Sequence, residues 1–506
     1  MMKITKKQMS WLLAATMVLS VVPGQTTQAA KAVKLSSKKV TLTVGKSKTI
    51  QLKNNKKKTT WKILSGKKYI SLSNKKKNSV KIVAVKKGNA KVQVKAGKKK
   101  YTCNVTVKAV KKPAKTPVVT KATVTVPSGT PSTTVVPTDP YAGKNTSDVK
   151  ALQSIIQEQK QNGATVSEDL NAEEYTWRGG RLVEIKWNDK KLKGELNASS
   201  LTALEKLNCG IDNFELVDQY NHLSSLDVSQ NTKLKELFCD YNELNSLDVS
   251  HNTALTGLDC SDNGVGSLDV SHNVALTGLD CSANGLSSLN VSKNTALTGL
   301  DCSANGLSSL DVSHNVALEW VDCHTNELSS LDVSKNATLK TLDCSQNKLG
   351  SLDVSGLKAL TELNCSENKL SSLDVSKNTA LTCLKCEFNQ LSSLNVSQNT
   401  ALMELDCHYN KLSNLDVSDL KAMKYLDCHH NELRGLDVSS NTALESLYCA
   451  ENHLSSLDVR SNTVLTELSC TLNKISSLDV SYNTVLARLY CDGTVTIIGK
   501  ENTKLQ

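Results

Sequence analysis

The sequence predicts an all-β-dominated chain: a solenoid of short coils with β-strands on both sides of each coil, preceded by a small β-sandwich and a short helical cap. Three observations predict it. A 21-residue unit of the form LxxLDCSxNxLSSLDVSxNTA recurs from Leu237 onward, marked by thirteen cysteines from Cys239 to Cys491, each 21 residues after the last. Such strict spacing belongs to stacked coils, in which every apolar side chain must lie above its counterpart in the coil before. Residues 31–112 alternate apolar and polar side chains at period two, with glycines at the breaks, the pattern of half-buried strands. Between the two regions, six of the chain's seven prolines crowd into residues 109–144, which cannot belong to a packed array and read as an extended linker.

Residues 1–30 combine Lys3, Lys6 and Lys7, an apolar run from Met9 to Val22, a Pro-Gly break and the small-residue end TQAA. This is the pattern of a cleaved signal peptide, its apolar run being too short to span a membrane. The mature chain is therefore expected to be secreted or held non-covalently at the cell surface, with no transmembrane segment. The C-terminal GKENTKLQ shows no wall-sorting signal.

Residues 31–108 hold the alternating runs VTLTV (40–44), TIQL (49–52), WKI (61–63), YISL (69–72), VKIVAV (80–85), AKVQV (90–94) and YTCNVTV (101–107). The strings TLTVGKSKTIQL, TTWKILSGKKYISLS and VAVKKGNAKVQVKAG resemble the bacterial immunoglobulin-like group 2 domain, and the resemblance implies a spacer or adhesion module on an exported protein. Residues 31–112 carry 27 lysines and no Asp, Glu or Arg; removing these and the three lysines of residues 1–30 from the net +12 leaves −18 for residues 113–506. The basic segment should bind polyanions with an affinity that falls as salt rises. The clusters Lys56, Lys57 and Lys58; Lys75, Lys76 and Lys77; and Lys98, Lys99 and Lys100 are the candidate contacts. Anionic cell-envelope polymers are the expected partners, and nucleic acid would bind only non-specifically, because aromatic interleaving for reading bases is absent. The alternative is a solvated surface that resists aggregation.

A helix is expected over Ser147–Gln161, where Val149, Leu152, Ile155 and Ile156 fall at helical spacing, with Ser147 as N-cap and Gly163 as the stop. LVEIKWNDKKL then reads as a degenerate first coil with Trp187 at the Cys position, so residues 145–200 are assigned as an N-terminal cap, 201–492 as the solenoid and 493–506 as the C-terminal cap and tail.

Within a coil both halves should be strands. Leu258 and Cys260 point inward while Gly257, Asp259 and Ser261 point out, and Leu268 and Val270 repeat the pattern in the second half. An asparagine column from Asn242 to Asn473 stands at the strand ends, where each amide can bond backbone groups that the turn leaves unpaired. The unit LxxLxCxxNxL resembles bacterial leucine-rich repeats of the nested 21-residue kind, over about Leu182 to Asp492; it departs at Leu357 and Leu420, where a different turn is expected. The resemblance implies binding of a macromolecule and, by itself, no chemistry.

The sixteen cysteines do not read as disulfides in the array, since stacked strands about 4.8 Å apart hold their Cβ vectors parallel, whereas a disulfide needs them to converge. They read as small buried apolar residues. No nucleophile elbow, phosphate loop or carboxylate pair suggests an enzyme, and no cofactor is implied. The second half-coil presents a monotonous Ser/Asp face, but outward positions of the first half gather Trp320, His324, Phe388, Glu404, Tyr409, Tyr425, His429, Tyr448 and Tyr490. Clustered exposed aromatics are typical anchors for a protein or glycan partner; shielding the edges of neighbouring coils is the competing use. Asp406, His408, Asp427 and His429 share one face of adjacent coils and form a candidate metal-binding surface. The expectation is thus an exported, non-enzymatic binding or adhesion protein whose solenoid recognises a partner while its basic domain holds the envelope. The alternative is a matrix protein that self-associates through its oppositely charged parts.

Overall fold

In the computed structural model the 21-residue period becomes a stack of coils. The structure describes residues 34–35, 39–43, 47–53, 59–65, 67–73, 78–84, 86–97, 99–108, 140–212 and 219–502. The expected signal peptide and residues 109–139 of the expected linker lie outside them. The chain divides into two units, residues 1–133 and 134–506.

In the first unit the alternating runs form two four-stranded sheets. One has the order Lys34–Leu35, Ser47–Lys53, Ser79–Ala84, Ile70–Ser73; the other runs Lys39–Thr43, Lys99–Lys108, Gly88–Ala96, Thr59–Ser65. Side chains from both sheets, Ile50, Ile82, Val92 and Val105 among them, bury together in one apolar core. Each expected run falls on a strand, and Lys34–Leu35 is one the alternation did not mark.

The second unit begins with the helix Thr146–Gln161, which buries Leu152, Ile155 and Ile156 as its spacing requires. Its N-cap is Asn145, not Ser147. Asn145 Oδ1 accepts from the backbone N–H of Ser147 (3.0 Å) and of Asp148 (3.1 Å), which places Ser147 already inside the first turn. Asp148, fully buried, accepts Arg181 Nε at 2.8 Å and the Leu182 N–H at 3.0 Å, and so fastens the helix to the first coil. Gly163 follows the helix at φ 96°, a left-handed position that suits glycine.

The strands Tyr175–Arg178 and Arg181–Lys186 pair antiparallel and close one edge of a sixteen-stranded sheet, whose other neighbours are parallel through to Arg488–Tyr490. Register advances by one period per coil: Leu237 pairs with Leu258, and Leu258 with Leu279. Trp187 takes the cysteine position of the first coil and is wholly buried. The 30-residue step from Cys209 to Cys239 is absorbed ahead of Asn221, whose amide donates to the carbonyls of Trp187 (2.8 Å) and Cys209 (2.7 Å), the work done elsewhere by the asparagine column. At the far end Thr496–Ile498 pairs with Ser477–Asp479, the closing strand expected from VTIIGK.

The second side of the coils departs from expectation. Strands pair there only at the two ends, Lys193–Asn197 with His222–Asp227 and Ser477–Asp479 with Thr496–Ile498, and the middle coils show isolated bridges such as Asp311 with Asp332. The carbonyls that would extend a ladder are already engaged. Val270 O accepts the Asn273 N–H of its own turn (3.0 Å) and Asn294 Nδ2 of the next coil (3.0 Å). A second asparagine column, Asn231 to Asn483, thus replaces backbone pairing with side-chain pairing, and its asparagines are fully buried. Leu357 and Leu420 interrupt that column without changing the turn: Leu357 N still donates to Val354 O (2.9 Å), as Asn336 N does to Val333 O (3.0 Å). Only a short extra bond from Lys358 N to Gly356 O (3.1 Å) distinguishes it.

Candidate binding face

The first asparagine column does what its position predicts. Asn305 Nδ2 donates to the carbonyls of Cys281 (3.0 Å), Cys302 (3.2 Å) and Ser303 (3.0 Å), while its Oδ1 accepts the Leu286 N–H of the preceding coil (2.9 Å). Each amide therefore stitches two coils together and leaves its own groups satisfied. The cysteines beside it are buried, and in nine coils, from Cys239 to Cys407, the thiol is aimed along the stack at a carbonyl one coil on, as in Cys260 Sγ to Asp280 O at 3.6 Å. All sixteen are free. Cys383 is half-buried on the outward side of its strand while Cys386 is fully buried, so the two thiols of LTCLKC face opposite ways.

The outward aspartates form a column of their own. Asp259, Asp280, Asp301, Asp322 and Asp343 stand on successive parallel strands, each carboxylate one strand spacing, about 4.8 Å, from the next; Phe238 precedes them in the column, and Asp240, two residues beyond it, accepts the Ile211 N–H at 3.1 Å. Asp259, Asp280, Asp301 and Asp343 each accept the serine two residues on, as Asp280 Oδ1 does from Ser282 N (3.0 Å) and Oγ (2.7 Å). Burial, aided by the neighbouring carboxylates, raises the pKa of Asp259, Asp280, Asp301 and Asp343, and lifts Asp240 to about 7. Where histidine replaces that serine, at His324, His408 and His429, Nδ1 takes its place: His324 Nδ1 and His429 Nδ1 lie 2.6 Å from Asp322 and Asp427, and His408 bonds Asp406. The hydrogen bond that its ring N–H donates to Asp322 raises His324 to about 9.

After each strand the chain turns through a residue with positive φ, from Tyr241 through Phe388 (51°), Tyr409 (50°) and His430 (53°) to Leu472. A side chain other than glycine costs about 1–2 kcal/mol in this conformation. The strain directs that side chain outward at the edge of the sheet. Phe388 and Tyr409 stack there at 4.5 Å between centroids and 10° between planes, His430 lies 4.0 Å from Tyr409, and His408 and His429 stack at 4.3 Å. The result is a five-ring platform on three adjacent coils.

The structure brings only some of the expected anchors together. Phe388, Tyr409 and His429 belong to the platform, and Tyr425 and Tyr448 pair at 5.6 Å beside it. Glu404 faces Lys385 at 3.3 Å. Trp320 stands three strands away from Cys383–Lys385 in the sheet order and is half-buried; its indole lies over Gly299, where a Cβ would meet the ring at 2.2 Å, so it shields the neighbouring coil. His324 is occupied with Asp322, and Tyr490, 42% exposed, lies on the last strand of the sheet. His430 was missed, although it stands 21 residues after Tyr409 and 42 after Phe388 in one column. Of the metal candidates, His408, Asp427 and His429 come together, with Asp406 bound to His408; Asp322, His324 and Asp343 form a second cluster that the sequence did not single out. In the first unit Lys99 and Lys100 are exposed on a strand, while Lys56, Lys57, Lys58, Lys75, Lys76, Lys77 and Lys98 lie outside the described residues. Among the described residues no helix is long and apolar enough to cross a membrane.

Comparison with known proteins finds the same coil elsewhere. The functional domain of InlJ from Listeria monocytogenes, described as including a cysteine ladder, is 36% identical over 62% of this chain and 68% of that chain, with a TM-score of 0.57. A leucine-rich repeat protein of Leptospira interrogans is 24% identical over 62% of this chain and 84% of that one (TM-score 0.54), and an internalin of Listeria monocytogenes 20% identical over 54% and 86% (TM-score 0.50); these two share the fold. No protein-family model and no curated protein sequence matches the chain.

Proposed function

This chain belongs to the bacterial leucine-rich repeat proteins, and from that premise we propose that it is an exported, non-enzymatic binding or adhesion protein whose strand face recognises a protein partner. The observation that carries this reading is the platform of Phe388, Tyr409, His408, His429 and His430, in a chain whose aromatic content is only 4%. The rings of Phe388, Tyr409 and His430, held by the turn, lose little freedom on binding and offer large apolar area, the character of interface hot spots. A glycan is the other ligand class that stacks on such rings. The basic first unit, which we read as an immunoglobulin-like group 2 domain, is assigned the role of associating with anionic envelope polymers through its lysines, Lys99 and Lys100 included.

The test is a binding screen of the full chain against cell-surface proteins and glycan arrays, repeated with Phe388→Ala and Tyr409→Ala together. The double variant should bind the identified ligand at least about 30-fold more weakly, the loss of roughly 2 kcal/mol expected at a hot spot. Equal binding by the two forms would rule out the platform as the recognition surface. A second reading rests on the charge division, 27 lysines in residues 31–112 against a net −18 in residues 113–506. Chains that pair basic part to acidic part would form a matrix, and their sedimentation would shift to single chains as salt is raised.

A further inference from the structure

We propose that His408 and His429 together hold one divalent transition-metal ion of the zinc class through their Nε2 atoms, with Asp406 and Asp427 as the carboxylates behind them. The site stands whether or not the face binds a partner. In five coils the position after the cysteine is serine, whose hydroxyl caps the side chain two residues back, as Ser303 Oγ does Asp301 at 2.6 Å. In two adjacent coils it is histidine, and Nδ1 supplies that cap instead: His429 Nδ1 lies 2.6 Å from Asp427 Oδ1, and His408 bonds Asp406. A carboxylate held on Nδ1 fixes the proton there and leaves Nε2 with a free lone pair, the second-shell arrangement that orients metal-binding histidines.

Two such imidazoles sit side by side, with centroids 4.3 Å apart and planes 12° apart, and ligand atoms of His408, Asp427 and His429 lie within 4.8 Å of one another. Zinc–nitrogen bonds of about 2.0–2.1 Å at a tetrahedral angle set two nitrogens about 3.3 Å apart, so the ring tips need to close by roughly 1 Å. Both rings are only partly buried, on side chains free to tilt at the sheet surface. Two imidazole nitrogens select zinc, nickel or copper over calcium or magnesium, which prefer oxygen ligands. The cluster of Asp322, His324 and Asp343 offers one imidazole between two carboxylates and lacks the nitrogen pair.

Calorimetric titration of the full chain with zinc chloride tests the site. One equivalent should bind, and His408→Ser or His429→Ser should weaken it at least ~10-fold, the scale of losing a ligand or its support. Serine is the residue the array itself uses at this position, so both variants should melt like the parent without metal, and the loss cannot be ascribed to misfolding. His324→Ser should leave the titration unchanged, and the cobalt(II) form should lack a thiolate charge-transfer band. Absence of saturable binding, binding that survives both variants, loss on His324→Ser, or a thiolate band from a cysteine such as Cys383 would each overturn the proposal.

Discussion

Raising the pH from about 5 to about 8 should lower the melting temperature of the repeat array. The cause is the half-buried aspartate column, in which Asp259, Asp280, Asp301 and Asp343 have folded pKa values above those of free carboxyls, together with the buried Asp240, lifted to about 7 from 3.8. A carboxyl whose pKa is raised by folding binds its proton more tightly in the native state. Its contribution is therefore full below the unfolded value and disappears as pH rises through the folded one. For Asp240 the change is worth up to about 4 kcal/mol. His324, raised to about 9, acts in the same direction between its unfolded pKa near 6.5 and that value. The exposed aspartates of the other side, Asp248, Asp269 and Asp311 among them, are lowered by bonds from the following serines and lose their contribution only in acid, so the optimum lies in the mildly acidic range. Asp280→Asn should raise the melting temperature at pH ~8 and flatten the dependence. The array already carries that substitution in Asn364, which accepts Ser366 as an aspartate would and donates to Asp343 Oδ2 at 2.8 Å. A melting temperature that is flat or rising over this range would contradict the account.

Two asparagines eleven residues apart should respond very differently to the same substitution. Asn305→Leu removes three donor bonds and the acceptor for Leu286 N–H, all inside the stack, and should cost about 3–5 kcal/mol. Asn294→Leu removes two bonds, to Val270 O and Asn273 O, yet each carbonyl keeps a backbone donor from its own turn. Asn294 Oδ1 also has no partner among the described residues, so burying it carries a cost that leucine avoids. Leu357 and Leu420 already occupy this column. The second change should cost less than about 1 kcal/mol, and denaturant melts of the two variants side by side measure the difference.

The period, the cysteine column and the first asparagine ladder were legible because each depends on spacing alone. The second-side strands were not, since identical Leu-Asp-Val alternation there meets carbonyls already taken by Asn294 and its kin. Alternation also placed Asp259 on the outer face, which is right for one coil, but its carboxyl is enclosed by the coils before and after, a burial that arises only on stacking. Residue type identified Phe388 and Tyr409; their convergence with His430 depends on a left-handed turn in which the repeat tolerates almost any side chain, so composition gave no sign of it.

The central claim is that two parts of the chain bind different things, the basic unit an anionic polymer and the strand face a discrete partner. Co-sedimentation of the full chain with purified Gram-positive cell walls over a salt series, with and without the Phe388→Ala and Tyr409→Ala pair, tests it directly. Wall binding should fall steeply with salt and be the same in both forms. Wall binding that persists in high salt and is lost in the double variant would mean that the repeats themselves hold the wall, and the division of labour would be wrong.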